Sequence, residues 1–490
     1  MVYKKSISGI RWNLIINISI NILQILQIVI ISRYLNSSDF GIVGIVAPIL
    51  TALLLMSDMG FGAALIQKKT ENIYPYASTI FTIMVFVSFI ISIFLFFYKE
   101  QIANFYNDER IINLIYYLII VLFLKIYSAI VTSLAIKELE FQIESVSRML
   151  GIFINFIISI VLAIVYHTYW ALLTGYFIST VVSILYINYK IPSTRIGMKF
   201  DLTKLKEIYK FAMSLFLAKV IYFTTKTGLG LVLAKLFPQN IYGQYYFAQR
   251  LSEYPQNFFG SLINNIVFSS LSKIQSDKNR FKIRFLEIGM LVTFFIIPIN
   301  LYLIFFSKEI ILLIFGNKWV LAYQIFSYLM FFILFSSIGM IPAIAIQAKG
   351  YSNILLNANY LRVPFVLITL IIGYIFKFGI LKITFFLVLS ELPPIFYLIY
   401  KANKIINVKF IQFARYYLKP LALMCLILLL IKLILSWVNN YILVMLFSFI
   451  FSIILYFLVY YIFFRNDLCK ITLVLSDILK KPKLKDIIKC

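Results

Sequence analysis

Long apolar stretches constrain this chain more than any other feature of its sequence. Runs of about 20 mostly apolar residues recur between positions 12 and 464, and each is long enough for an α-helix to cross the hydrocarbon core of a bilayer. Because 62% of the residues are hydrophobic and only 13% are charged, a soluble core could not bury these runs. The sequence therefore predicts an all-α polytopic membrane protein.

Segmentation of the apolar runs predicts about fourteen transmembrane helices, of which the eighth is the least apolar. Their predicted bounds are 12–32, 41–66, 77–98, 111–131, 148–166, 169–189, 210–234, 242–270, 285–306, 319–345, 354–376, 379–400, 416–436 and 440–464.

The basic residues predict how the chain is oriented. Most of the 45 Lys and Arg residues lie in alternate connecting segments, for example between residues 190 and 206. Cytoplasmic loops carry such an excess, so both termini are expected in the cytoplasm. The net charge of +26 is scattered through short loops rather than gathered into one basic face, which argues against a nucleic-acid partner.

Two similar segments suggest an internal repeat. Residues 35–41 (LNSSDFG) follow the first predicted helix, and residues 236–243 (LFPQNIYG) follow the seventh. Repeats of this kind build the two bundles of many transporters, although chance similarity between two helix-start turns is the alternative. We predict a lobe of helices 1–6 (1–203), a lobe of helices 7–12 (204–403), an added pair of helices (404–464) and a basic amphipathic cytoplasmic tail (465–490).

Polar side chains recur on single faces of two predicted helices, at spacings of three and four residues that stack them along one side. On helix one these are Asn13, Asn17, Asn21, Gln24 and Gln27; on helix eight they are Arg250, Glu253, Asn257, Ser261 and Asn264.

Charged residues inside the predicted spans need partners or water. Lys219, Lys226, Arg250 and Arg362 together would cost roughly 10 to 14 kcal/mol if they faced lipid. Arg250 can pair with Glu253 at i, i+3. For Lys219 and Lys226 the alternatives are a cationic, water-filled cavity, snorkelling to an interface, or pairing with a distant acid such as Asp58.

No chemistry of an enzyme is visible in the sequence. We find no catalytic set and no cofactor motif, and the three cysteines with the single histidine do not have metal-ligand spacing. A membrane polymerase or ligase generally needs acids, His or Arg on a sizeable external loop, whereas the longest predicted outside loop covers only residues 99–110.

The strings SGIRWNLI, SRYLNSSDFGIVGIVAPI and SDMGFGAALIQKK, within residues 6–70, resemble the start of bacterial polysaccharide-biosynthesis flippases. These Wzx-type O-antigen and capsule translocases belong to the multidrug/oligosaccharidyl-lipid/polysaccharide exporter superfamily. The resemblance implies two MATE-like six-helix lobes with helices one, two, seven and eight lining a cavity. It also implies an undecaprenyl-pyrophosphate-linked oligosaccharide as cargo, carried across the bacterial cytoplasmic (inner) membrane.

Under this resemblance the polar residues take candidate roles. Cationic groups suit the pyrophosphate, amides suit sugar hydroxyls, and carboxylates suit a coupling ion. The candidates are Lys219, Lys226, Arg250, Arg362 and Lys125 for pyrophosphate, Asn17, Asn21, Gln24, Asn257 and Asn264 for sugar, and Asp58 and Glu253 for ion coupling.

The main alternative within the superfamily is an ion-coupled, multidrug-type antiporter, which would favour carboxylates over lysines in its cavity. The expected partners are the lipid-linked oligosaccharide and membrane lipids, with other membrane proteins of polysaccharide assembly as further candidates. We expect a monomer, because a cavity within one chain needs no second copy.

Overall fold

The structure, a computed structural model, describes residues 2–70, 72–191, 196–272, 274–438 and 440–479, without the side chains of 2–15, 225, 258–266, 269, 352 and 475–479. Among these residues regular structure is helical throughout, with no β-strand. The α-helices are α1 Val2–Tyr34, α2 Ser37–Asp58, α3 Phe61–Gln67, α4 Tyr74–Tyr106, α5 Arg110–Lys137, α6 Phe141–Tyr166, α7 Trp170–Lys190, α8 Leu202–Tyr222, α9 Gly228–Leu236, α10 Gln239–Ser272, α11 Lys278–Phe305, α12 Ser307–Phe315, α13 Val320–Ala348, α14 Ser352–Ile375, α15 Ile380–Leu389, α16 Leu392–Ile406, α17 Phe410–Ile434, α18 Tyr441–Phe463 and α19 Arg465–Leu479.

The predicted all-α polytopic membrane fold is confirmed, but the count of fourteen spans is not. Twelve helical spans among the described residues are long and apolar enough to cross a membrane. The two predicted spans that fall outside this group are the seventh and the eighth. The predicted seventh span contains Lys210, Lys219 and Lys226, and the predicted eighth contains Arg250 and Glu253 and includes side chains that lie outside the described residues.

The predicted second helix, 41–66, is divided into α2 and α3 by the turn at Met59 and Gly60. Two further predicted helices are also interrupted in the structure. The predicted seventh helix is divided into α8 and α9 by a π-helical turn, Phe223–Thr227. The predicted twelfth helix is divided into α15 and α16 at Ser390 and Glu391, just before Pro393 and Pro394. The two prolines have no N–H to continue a helical ladder, which accounts for the interruption before α16.

The chain forms two compact units, Met1–Tyr246 and Phe247–Cys490. Within the first unit, α6 packs against α7 and α1, while α5 packs against α2, α3 and α4. Within the second, α11 packs against α13 and α17, and α16 lies against α13 and α14. The predicted domain boundaries at 203, 403 and 464 stay predictions.

The two similar segments of the sequence contact each other inside the first unit. A Cβ added at Gly41 would overlap the backbone carbonyl of Gln239, and a Cβ added at Gly243 would overlap the backbone carbonyl of Ser37. The Tyr242 hydroxyl donates a hydrogen bond to the Gly44 carbonyl at 2.8 Å. We call this reciprocal contact between the starts of α2 and α10 the glycine seam. It brings the two backbones closer than any larger residue would allow.

The C-terminal segment begins with a helix rather than an irregular tail. In α19, Asp467 forms an ion pair with Lys419 of α17, and the Lys419 ammonium lies 3.6 Å from the centre of the Phe464 ring. The helix packs against α11 and α18. The basic part of the predicted amphipathic tail, between positions 480 and 490, lies outside the described residues.

Candidate functional site

Asp58 is positioned by the turn that ends α2. Met59 and Gly60 have positive φ angles of 44° and 79°, so the chain reverses sharply after the helix. The Asp58 carboxylate accepts hydrogen bonds from the backbone N–H of Gly60 at 3.2 Å and of Gly62 at 2.9 Å. These bonds hold the carboxylate at the start of α3, where the helix dipole also favours a negative charge.

Lys219 reaches this carboxylate from α8. Its Nζ lies 2.9 Å from Asp58 Oδ2, while the Lys219 side chain keeps 49% of its surface exposed and Asp58 keeps 20%. Of the three alternatives that the sequence left open for Lys219, the structure shows pairing with Asp58. An ammonium has three N–H donors, and half of this side chain is accessible, so the pair can still contact a ligand.

Lys226 lies in the π-helical turn between α8 and α9. Its Nζ is 5.5 Å from the centre of the Tyr222 ring, a cation–π distance. A π turn advances the chain through a smaller angle per residue than an α-helix does, so Lys219 and Lys226 are not related by the regular spacing of one continuous α-helix. Single π turns inside α-helices occur frequently at functional sites.

Arg250 and Glu253 form the local pair that their spacing allowed. Arg250 Nη1 lies 3.4 Å from Glu253 Oε2, and the guanidinium also lies 5.7 Å from the Tyr254 ring centre. Both side chains are more than one-third exposed. On the same helix Asn257 is exposed, whereas the side chain of Asn264 lies outside the described residues. Glu253 is therefore paired with a cation in this structure, as Asp58 is.

The amides of α1 form hydrogen bonds both within their own helix and to α6. The Asn21 side chain donates to the Asn17 carbonyl of its own helix at 2.9 Å, and Gln24 is half-buried. Gln27 is buried and donates to the Asn155 carbonyl of α6 at 3.4 Å. Part of the polar face thus supports packing within the first unit. The side chain of Asn13 lies outside the described residues.

Lys125 occupies a packing position within the first unit. Its ammonium lies 4.4 Å from the centre of the Tyr176 ring, so it bridges α5 and α7. This contact explains how a lysine is accommodated in the middle of a predicted span.

Arg362 and Glu391 form a buried ion pair that the sequence did not predict. Arg362 Nη2 of α14 lies 2.6 Å from Glu391 Oε2, and the two side chains are 14% and 5% exposed. No partner for Arg362 was predicted from the sequence, and Glu391 was not identified. Glu391 could have been identified in the sequence as an acidic residue inside a predicted span, close to a Pro-Pro pair.

A second charged cluster lies before the predicted seventh span, where α8 begins. Glu207 accepts from Lys68 Nζ at 2.5 Å and from the Tyr76 hydroxyl at 2.6 Å. The hydrogen bond from Lys68 is the main reason that the pKa of Glu207 lies below its usual value; the reciprocal bond raises the pKa of Lys68. This cluster ties the start of α8 to α3 and α4.

A family model described as "Polysaccharide biosynthesis protein" matches residues 30–324. Among curated proteins, the chain is 24% identical over 324 residues to a Klebsiella pneumoniae "uncharacterized membrane protein in cps region", covering 64% of this chain and 65% of that protein. The match thus spans slightly less than two thirds of that relative's length. The chain is also 23% identical over 373 residues to the Escherichia coli "lipopolysaccharide biosynthesis protein WzxC", covering 76% of this chain and 75% of that protein.

Among solved structures, the fold is similar to that of the lipid II flippase MurJ in an inward closed conformation. The TM-score is 0.76 at 17% sequence identity, and the match covers 92% of this chain and 98% of that one. At this level of identity the likeness shows the fold, and it extends over nearly the whole length of both chains.

Proposed function

The chain belongs to the polysaccharide biosynthesis protein family, and from this membership we propose that it is a flippase for lipid-linked oligosaccharides. Its cargo would be an undecaprenyl-pyrophosphate-linked repeat unit of an O-antigen, capsule or exopolysaccharide. The protein would move this unit from the cytoplasmic to the outer leaflet by alternating access.

The observation that carries this proposal is the accessible cation at Lys219. Lys219 lies in a predicted span, where an unpaired ammonium facing lipid would cost about 2.5 to 3.5 kcal/mol. Its pairing with Asp58 offsets that cost, and the half-exposed side chain keeps N–H donors that can contact a further polar ligand. Lys226, the fourth residue of the five-residue π turn, adds a second cation on the same interrupted helix. Lysine binds phosphate well, which suits the pyrophosphate of the cargo.

The names of related proteins support transport of this cargo class. WzxC is named for lipopolysaccharide biosynthesis, and the Klebsiella relative is named for its place in a cps region. MurJ, which shares the fold, is named as the flippase of a lipid-linked cargo. Neither WzxC nor MurJ is named as an enzyme, so catalysis is not part of the proposal.

Pairing of the acids argues against the antiporter alternative. Asp58 is bound by Lys219, and Glu253 is bound by Arg250, so both are occupied by cations of the protein in this structure. We retain both as candidate ion-coupling groups that would act only after their partners move. The amides Asn17, Asn21, Gln24, Asn257 and Asn264 remain the candidates for sugar hydroxyls, and Arg362 and Lys125 the less favoured candidates for pyrophosphate.

The chain is a multi-pass membrane protein, and we propose that it resides in the bacterial cytoplasmic membrane with both termini in the cytoplasm. The support is the uneven distribution of basic residues between alternate loops. We further propose that one copy suffices for transport, and that contacts with other membrane proteins of polysaccharide assembly are optional.

Deletion of the gene in its host tests the proposed function. Undecaprenyl-linked sugars are extracted and sized, and an impermeant reagent that modifies the sugars reports which leaflet holds them. We expect complete single repeat units to accumulate on the cytoplasmic side. A plasmid copy of the intact gene should restore export.

Units that reach the outer leaflet but are not polymerised or transferred would contradict the proposal and indicate an enzyme. Export that continues unchanged after deletion would contradict it as well.

A further inference from the structure

Tyr222 is an exposed aromatic residue at the centre of a predicted membrane span. It is the last residue of α8, directly before the π turn, and it lies midway between the ends of the predicted seventh span, 210–234. The residue is 57% exposed. Tyrosines that face the membrane are concentrated at its two interfaces with water, so an exposed tyrosine at mid-span needs another explanation.

Charged residues one helical turn away indicate what this side of α8 faces. Lys219 lies three residues before Tyr222, on the same side of the helix, and pairs with Asp58 while half of its side chain stays exposed. Lys226 Nζ lies 5.5 Å from the centre of the Tyr222 ring. Charged residues within membrane spans almost always face the interior of the bundle or a water-filled cavity. The exposed surface of Tyr222 therefore belongs to a polar environment rather than to lipid.

Exposed aromatic residues elsewhere in the first unit have different neighbours. Phe94 of α4 is 54% exposed, and the residues three and four positions away on either side are Ile, Phe and Tyr. An apolar surface of this kind is expected where a helix contacts lipid. The comparison separates Tyr222, which has cations one turn away, from aromatic side chains that face hydrocarbon.

The position of Lys226 determines which part of the cargo would reach the ring. This step rests on the proposed function, in which the lysines bind the pyrophosphate. The first sugar of the cargo is joined to that pyrophosphate through a single oxygen atom. Because the ammonium is 5.5 Å from the ring centre, a phosphate bound at Lys226 brings this sugar close to Tyr222.

The chemistry of a sugar ring suits this place. One face of a pyranose presents mainly C–H groups, whereas its edge carries hydroxyls. The face of an aromatic ring is apolar and partially negative, so it attracts C–H groups. The Tyr222 hydroxyl and the lysine ammonium groups can donate hydrogen bonds to oxygens at the edge of the sugar.

From this arrangement we propose that Tyr222 is a sugar-binding platform on which the ring next to the pyrophosphate stacks. The contact with Lys226 helps to orient the aromatic ring, and the exposed surface of Tyr222 receives the sugar. The ligand class is a pyranose with one face free of axial hydroxyls, because an axial hydroxyl would hold the two rings apart. Tyr222 is thus a residue that determines which cargo is accepted.

The test compares two lipids on the purified full-length protein. One is undecaprenyl pyrophosphate without sugar, and the other is the undecaprenyl-pyrophosphate-linked repeat unit extracted from host cells. Native mass spectrometry of the protein in detergent counts the bound fraction of each. We expect the wild type to bind the lipid that carries sugar more tightly than the bare lipid.

Three variants identify the aromatic face as the cause. Tyr222→Leu should reduce the preference for the sugar-bearing lipid by about three- to tenfold, while its affinity for undecaprenyl pyrophosphate and its melting temperature stay as in the wild type. Tyr222→Phe keeps the aromatic face and should keep most of the preference. Phe94→Leu removes an exposed aromatic ring with apolar neighbours and should behave as the wild type.

A wild-type protein that binds the two lipids equally would overturn the inference. An unchanged preference in Tyr222→Leu would overturn it too, and so would an equal loss of affinity for both lipids, which indicates a merely structural role. The gene-deletion experiment separates the two proposals. Units trapped on the cytoplasmic side, with an unchanged preference in Tyr222→Leu, leave the flippase and remove the platform. A preference that Tyr222→Leu abolishes, with normal export after deletion, leaves a sugar-binding site and removes the flippase.

Discussion

Substitution of Gly243 by Ala tests the glycine seam, the contact between the starts of α2 and α10. An added Cβ would lie 2.8 Å from the Gly41 nitrogen and closer still to the Ser37 carbonyl oxygen. Real Cβ atoms essentially never approach a heavy atom to less than 3.0 Å, and the atoms in the way belong to backbone. The two helices must therefore move apart in the variant.

Overpacking of this kind costs about 1 to 3 kcal/mol. The cost arises only while the starts of α2 and α10 are in contact, which is the closed state of the seam. The ratio of this closed state to the open state, in which the two helices have separated, should therefore fall by about 5- to 150-fold. Amide hydrogen exchange of the purified protein measures this change, because amides in the first turns of α2 and α10 exchange when the seam opens. We expect their exchange to accelerate by that factor, and export by the variant to fall.

A matched control is Gly289→Ala in α11. An added Cβ at this buried helical glycine meets no atom within 4 Å, so exchange at the seam should be unchanged. If Gly243→Ala leaves the exchange of α2 and α10 at the wild-type rate while the protein stays folded, the steric argument is wrong.

Three further predictions follow from other contacts. The double variant Lys219→Ala/Lys226→Ala should impair translocation of lipid-linked units while the protein keeps nearly normal abundance. The control variant Lys99→Ala in α4 should translocate normally, and full export by the double variant would contradict the proposal that the two lysines bind the cargo. The pKa of Glu207 is lowered from its usual 4.5, so the stabilisation from its ion pair is present above that pH and lost as the pH falls through the folded-state pKa. Hydrogen exchange at the start of α8, corrected for its intrinsic pH dependence, should therefore become faster in acid. The variant Glu207→Gln should not show this acceleration. Identical pH profiles for the wild type and the variant would exclude the ion pair as the cause. Tyr242→Phe removes a buried hydrogen bond and should lower the free energy of unfolding by about 1 kcal/mol, which an unaltered melting curve would refute.

Local features of the fold could be predicted from the sequence because they depend on neighbouring residues. Runs of about 20 apolar residues predicted fourteen spans, and twelve of these correspond to helices of the described residues that are long and apolar enough to cross a membrane. The spacing of Arg250 and Glu253 predicted their ion pair, since residues three apart lie on one helical face. The sequence predicted a turn at residues 35–41 and a helix from residue 41, whereas α2 begins at Ser37, where Asn36 and Asp39 form a capping box.

Contacts between distant segments could not be predicted in this way. Arg362 and Glu391 are 29 residues apart on different helices, and a lone acid produces no periodic pattern. Lys219 and Asp58 are 161 residues apart, so the sequence could name the pairing but could not choose it over a free cation. The π turn at Phe223–Thr227 was likewise not predicted from the sequence.

The π turn between α8 and α9 is what one extra residue in an α-helix looks like, since each of its hydrogen bonds spans one residue more. Deleting a single residue there would restore an unbroken helix instead of destroying one. It would also rotate everything beyond it, including the lysine, by about 100°. Relatives aligned across residues 223–227 should therefore carry a one-residue gap wherever the lysine is absent, because the insertion and the side chain that it reorients are useful only together.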